Sequence, residues 1–103
     1  MTKGNPYRGE AMLEVAGEAL VLRPSFNALI AAEDELGSLF ELVERAAEGR
    51  LQLAQIVALF DHLSKSRLEA ITRELIGEAV IENGLAKITP ILRTVLAQIL
   101  QGR

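Results

Sequence analysis

His62 is the one imidazole in the chain, and acid–base or metal chemistry there needs a second group within reach. Its helical neighbours three and four residues away are Ala58, Leu59, Lys65 and Ser66, a set that makes no site. The expectation is a partly exposed histidine beside a helix end, where a positive charge is favoured by the helix dipole. With no cysteine in the chain, thiol nucleophiles, disulfides and thiolate zinc sites are all excluded. One histidine would leave carboxylates to supply every other zinc ligand, so neither a metal nor a cofactor is expected.

Glu33-Asp34-Glu35 offers adjacent carboxylates. Three consecutive helical positions point in different directions and cannot converge on one reacting bond. They read as a solvated face, with pairing to a basic residue as the alternative, since acids near a helix C-terminus oppose its dipole. The eight glycines form neither G-x-G-x-x-G nor a P-loop, and most fall at turns or helix ends. Gly77 alone lies inside an expected helix, which suggests a close helix crossing. Lys65, Arg67 and Arg73 raise the question of a DNA-reading helix-turn-helix, but Glu69, Glu74 and Glu78 share the segment and repel phosphate. No catalytic residue is assigned, and an enzyme is the class least supported.

The elements that position these residues follow from pattern. The chain has 103 residues, 50% hydrophobic and 4% aromatic, with 11 basic and 14 acidic groups and a net charge of −3. That is one domain's worth of chain, without a general affinity for nucleic acid. Apolar runs are only a few residues long, far short of the ~20 that cross a bilayer, and the first residues lack the apolar stretch of a secretory signal. A soluble protein of the cell interior is expected.

Residues 1–8 read as a flexible arm and 9–103 as a single domain. Ala11, Leu13 and Val15 alternate with Glu10, Met12 and Glu14, the period of a strand with one buried face. Ala16-Gly17 supplies a two-residue turn, and Glu18 to Arg23 returns with Leu20 and Leu22 facing the side of Leu13 and Ala11. Pro24 stops the strand and Ser25 caps a helix with Phe26, Leu29, Ile30 and Leu36 as its apolar positions, ended by Gly37. Ser38-Leu39-Phe40-Glu41 has capping-box form and opens a helix striped by Leu39, Leu42, Val43 and Ala46, ended by Gly49. A third helix spans about Leu51 to Leu63, with Leu53, Ile56, Val57, Phe60 and Leu63 on one side.

Ser66-Arg67-Leu68-Glu69 repeats the capping-box form and opens a fourth helix, with Leu68, Ile71, Leu75, Ile76 and Ala79 inward and Asn83-Gly84 closing it. Thr89 caps and Pro90 begins a last helix running to about Gln101; a Pro-kinked helix from Leu85 is the competing reading. Ile91, Leu92, Val95, Leu96, Ile99 and Leu100 give it a wider apolar face than docking on a small bundle needs, so part of that face is expected to meet another protein. Phe26, Phe40 and Phe60 are expected core anchors. The fold class is α+β, mainly α: an N-terminal β-hairpin packed on four to five short helices.

Asn5-Pro6 with Arg8-Gly9-Glu10, then Leu22-Arg23-Pro24-Ser25-Phe26 with Ala28-Leu29, Glu33 and Leu36-Gly37, form an ordered series. Together with Glu44-Arg45, Gly49, Gly77-Glu78-Ala79-Val80 and Gly84-Leu85, the chain resembles the tail assembly chaperones of gene transfer agents and related phages. That family is also labelled gene-transfer-agent-type phage tail tube protein. The middle stretch, Gln52 to Thr72, carries none of the pattern.

The resemblance implies a non-enzymatic protein that binds the tape-measure protein before the tube polymerises, with tail tube subunits as a second candidate partner. It implies a protein of the bacterial host cytoplasm that is absent from the mature particle. A structural tail component retained in the particle is one alternative, and a small helix-turn-helix DNA-binding regulator is another. The expected partner contacts are Met12 and Val21 on the hairpin face away from the core, Arg23, and Ile91 and Val95 on the last helix. Arg23 is expected to pair with Glu10 or to meet the partner. A homo-oligomer is left open.

Overall fold

A computed structural model of the chain describes residues 11–102, with side chains from Leu13 onward. The expected arm over 1–8, and Glu10 as partner of Arg23, lie outside the described residues. Strands β1 (Ala11–Val15) and β2 (Glu18–Leu22) pair antiparallel, with Leu13 opposite Leu20 and Ala11 opposite Leu22, the expected register. Ala16 and Gly17 take φ of +52° and +81°, the two positive values of a turn whose twist matches the strands it joins. Leu13, Val15, Leu20 and Leu22 are buried on one face. The Arg23 amide donates to the Leu63 carbonyl at 2.7 Å, which pins the end of the hairpin to the end of a helix.

Five helices follow: α1 (Phe26–Leu36), α2 (Leu39–Ala47), α3 (Leu53–Leu63), α4 (Arg73–Asn83) and α5 (Leu85–Gln101). The fold is thus α+β and mainly α, as the patterning predicts. α3 is the centre, burying Ile56, Ala58, Leu59, Phe60, Asp61, His62 and Leu63 and packing on α1, α4 and β2. α5 is the second hub, against α2, α4 and β1, with Ile88, Leu92, Val95 and Leu96 buried.

The caps at the first two helices follow the sequence. Ser25 Oγ accepts from the Ala28 amide at 3.2 Å and Ser38 Oγ from the Phe40 amide at 3.2 Å. The expected reciprocal box at Ser38 does not form, since Ser38 Oγ takes the Phe40 amide; a further free donor of that turn, the Leu39 amide, is met by Glu33 Oε2 at 3.0 Å from the preceding helix. Past α2, the Gly49 amide bonds the Ala46 carbonyl and the Arg50 amide reaches the Arg45 carbonyl. With Gly49 at φ +70°, this is a Schellman closure.

Four expectations need correction. The fully buried residues of α1 are Ala28 and Ala32; of the expected stripe Leu29 and Leu36 pack half-buried against the core, while Ile30 is 45% and Phe26 76% exposed, Phe26 lying on the side of the helix away from the two alanines. Small residues at that four-residue spacing let two helix backbones approach closely, which a phenylalanine there would prevent. Phe40 is likewise 73% exposed, on the far side of α2 from Leu42 and Ala46, so of the three phenylalanines only Phe60 anchors the core.

α4 begins at Arg73, capped by Thr72, rather than at the Ser66 box. Residues 64–72 are instead a loop wound on Arg67, whose Nε donates to the Ile71 carbonyl at 2.6 Å and Nη1 to the Asp61 carbonyl at 2.9 Å. A guanidinium that satisfies loop carbonyls competes with helix formation, and Leu68 turns outward. Lastly, α5 starts at Leu85 with Pro90 inside it, the competing reading of the sequence. Proline deprives the Ala86 carbonyl of its helical donor, but Ala86 is exposed and water can serve it.

Candidate functional site

The strongest concentration of charge joins α1, α3 and the start of α4. On α1, Glu35 shares the Ala28–Ala32 face at the next helical turn, which carries its carboxylate over α3. There it takes two hydrogen bonds from Arg73, Nη1 to Oε2 at 2.7 Å and Nη2 to Oε1 at 2.8 Å, and lies 2.6 Å from His62 Nε2. Asp61, buried on α3, accepts from Arg73 at 2.8 and 3.1 Å and from Arg67, with Lys65 Nζ at 3.7 Å. Two carboxylates therefore face three permanent cations and one imidazole.

The Arg73 hydrogen bonds, then the one from His62, hold the Glu35 carboxyl down at about 2 against the opposing effect of burial. Burial pushes the Asp61 carboxyl up, but the Arg73 hydrogen bond and the charges of Arg67, Lys65 and Arg73 together hold it below its ordinary value. The hydrogen bonds that Arg73 donates to Glu35 and Asp61 raise its own value in turn. These paired charges fasten α1, α3 and the start of α4 to one another. His62 is buried, contrary to the expected partly exposed side chain, because Glu35 reaches it from another helix. Among the described residues no His, Cys, Asp and Glu group is placed to hold a metal ion. Nor is any helix there long and apolar enough to cross a membrane.

The same network answers the helix-turn-helix question. Arg67 and Arg73 are turned onto Asp61 and Glu35, and the segment before α4 is a loop rather than the turn and helix start that a helix-turn-helix places there. Glu33, Asp34 and Glu35 are all exposed, as a solvated face requires, but Glu35 is also paired with Arg73, the alternative the sequence offers, and Glu33 caps the Leu39 amide.

Of the expected contact residues, Met12 stands opposite Val21 in the hairpin register, its side chain outside the described set. Val21 is half-buried and Arg23 exposed. Ile91 is half-buried against the core, and Val95 is fully buried within it. The last helix thus commits to the interior most of the face that the sequence shows as surplus. What it leaves out is Leu100, 53% exposed, which with Phe40, Leu39, Val43, Ile99 and Glu33 lines a groove of about 210 Å³ between α2 and α5. Hydrophobicity alone places Phe40 in the core; its position opposite Leu42 on α2 is the signal that it faces out.

A family model described as phage tail tube protein, GTA-gp10, matches residues 8–102 of the chain. No curated protein and no solved structure matches it.

Proposed function

We propose, starting from the fact that this chain belongs to the phage tail tube protein, GTA-gp10 family, that it works as a tail assembly chaperone. In this reading it covers apolar helical surface on the tape-measure protein until tube subunits displace it. The observation that carries the reading is Phe40 and Leu100, two large apolar side chains held outside a filled core and beside one groove. Exposed apolar side chains grouped in this way are a feature of protein-binding surfaces. A permanent tube contact calls for a broad, continuous apolar interface, on the order of 2,000 Å² or more. A groove this small, with Glu33 at its margin, suits a contact that forms and dissolves. Many such contacts along one elongated client supply avidity without strong binding at any single copy.

The family description itself favours a second reading, a component retained in the tail. Coexpression with the tape-measure protein tests the first. The client is expected to stay soluble and copurify with this chain, and to lose that protection with Phe40→Ser and Leu100→Ser together, while the variant keeps its helical circular dichroism. A client that precipitates equally with and without the wild-type chain would refute the chaperone reading.

A further inference from the structure

A second groove, of about 580 Å³, runs between α3 and α4. Its floor is Leu53 and Val57 from α3 with Gly77 and Ile81 from α4, and Leu53 and Ile81 are 44% and 59% exposed. One wall consists of Glu74, Glu78 and Glu82, spaced four residues apart along α4. Four-residue spacing puts them in one row, about 12 Å long at the helical rise, beside the apolar strip. Among the described residues no cation pairs with any of the three. Like charges at this spacing repel one another, and the chain tolerates that row alongside exposed leucine and isoleucine.

Gly77 keeps the groove open. It sits in mid-helix, and a Cβ built there would meet the Val57 methyls at 3.8 Å, an ordinary contact. The crossing of α3 and α4 therefore does not require glycine, contrary to the sequence expectation of a close approach. What a larger side chain at 77 would do is occupy the floor.

We propose that this groove receives a basic amphipathic helix of another polypeptide, its apolar stripe on Leu53, Val57 and Ile81 and its Lys or Arg residues along Glu74, Glu78 and Glu82. Charge complementarity chooses this occupant. A second copy of the chain meeting the same groove across a two-fold axis would bring the three carboxylates against themselves. The inference rests on the proposed function in that it describes how one client segment is held, and it is tested separately from it.

The probe is a capped 14-residue helical peptide with a leucine stripe and lysines four residues apart, labelled for fluorescence anisotropy, with a glutamate-for-lysine peptide as control. The full chain is expected to bind the lysine peptide at least tenfold more tightly than the control, with affinity falling as salt rises. Glu74→Lys, Glu78→Lys and Glu82→Lys together should reverse that preference, and Gly77→Leu should abolish binding with the thermal midpoint kept or raised. Equal affinity for the two peptides, or a lysine peptide that binds the triple variant as it binds the wild type, overturns the proposal. So does a wild-type dimer, seen by sedimentation, that Gly77→Leu dissolves, because the occupant is then a second copy. If the triple variant protects the tape-measure client as well as the wild type does, this groove is not the client site and the chaperone reading stands. If the wild type protects no client, that reading falls and the peptide preference still decides the groove.

Discussion

Arg73 grips Glu35 with two nitrogens across 38 residues of sequence, at 2.7 and 2.8 Å, and with the same guanidinium holds Asp61 on α3. One side chain at the first turn of α4 thereby fixes α1 and α3 relative to it. The two carboxylates differ in setting: the Asp61 side chain is 9% exposed and that of Glu35 is 40% exposed.

Asp61→Ala is expected to destabilise the fold by about 3 kcal/mol, because it leaves Arg67 and Arg73 facing a partly buried void. Glu35→Gln is expected to cost under about 1 kcal/mol, since solvent screens its pair. Urea denaturation of both variants checks the ranking; equal losses would contradict it.

Acid should loosen the same fastening. A carboxyl whose folded value lies below its unfolded one adds stability that is complete above the unfolded value and is lost as pH falls through the folded one. For Glu35 that window runs from about 4.5 down to about 2, and Asp61 acts in the same direction. Urea midpoints measured from pH 6 to pH 2.5 should fall through this window, less steeply for Glu35→Gln. A midpoint that rises on acidification would contradict the network.

Ala16 holds a positive φ in the hairpin turn, a conformation that asparagine tolerates better than alanine. Ala16→Asn is expected to stabilise the protein by roughly 0.5–1 kcal/mol, read as a raised thermal midpoint. A lowered midpoint would mean that the turn is not of this type.

Pro90 interrupts α5 at a surface position. Pro90→Ala restores a donor to the Ala86 carbonyl and is expected to stabilise by about 1–3 kcal/mol. Slower amide exchange from Leu85 to Thr94 would accompany it. Destabilisation would show that Pro90 contributes packing that outweighs the missing hydrogen bond.

Local chemistry made the hairpin legible: alternation fixed its buried face, and Ala16-Gly17 its turn. The same holds for the caps at Ser25 and Ser38 and the stop at Gly49, whose interactions span only a few residues. What periodicity missed depends on distant partners. On α1, large apolar residues outweigh alanine in any hydrophobic stripe, so Phe26 and Ile30 read as inward beside Leu29 and Leu36, yet close packing selects Ala28 and Ala32. The start of α4 was misplaced because Arg67 prefers carbonyls and Asp61 to a helical turn. The neighbours of His62 on its own helix give no sign of its partner, which lies 27 residues away. The glutamate row of α4 was readable at four-residue spacing, but the apolar floor beside it exists only once α3 is in place.

The proposed chaperone role makes this chain a transient, non-covalent cover for a companion polypeptide. Quantitative mass spectrometry of tape-measure-containing assembly intermediates and of purified finished tails tests it most directly. Several copies of this chain per tape-measure protein are expected in the intermediates and essentially none in finished tails. A fixed, stoichiometric complement in finished tails would contradict it.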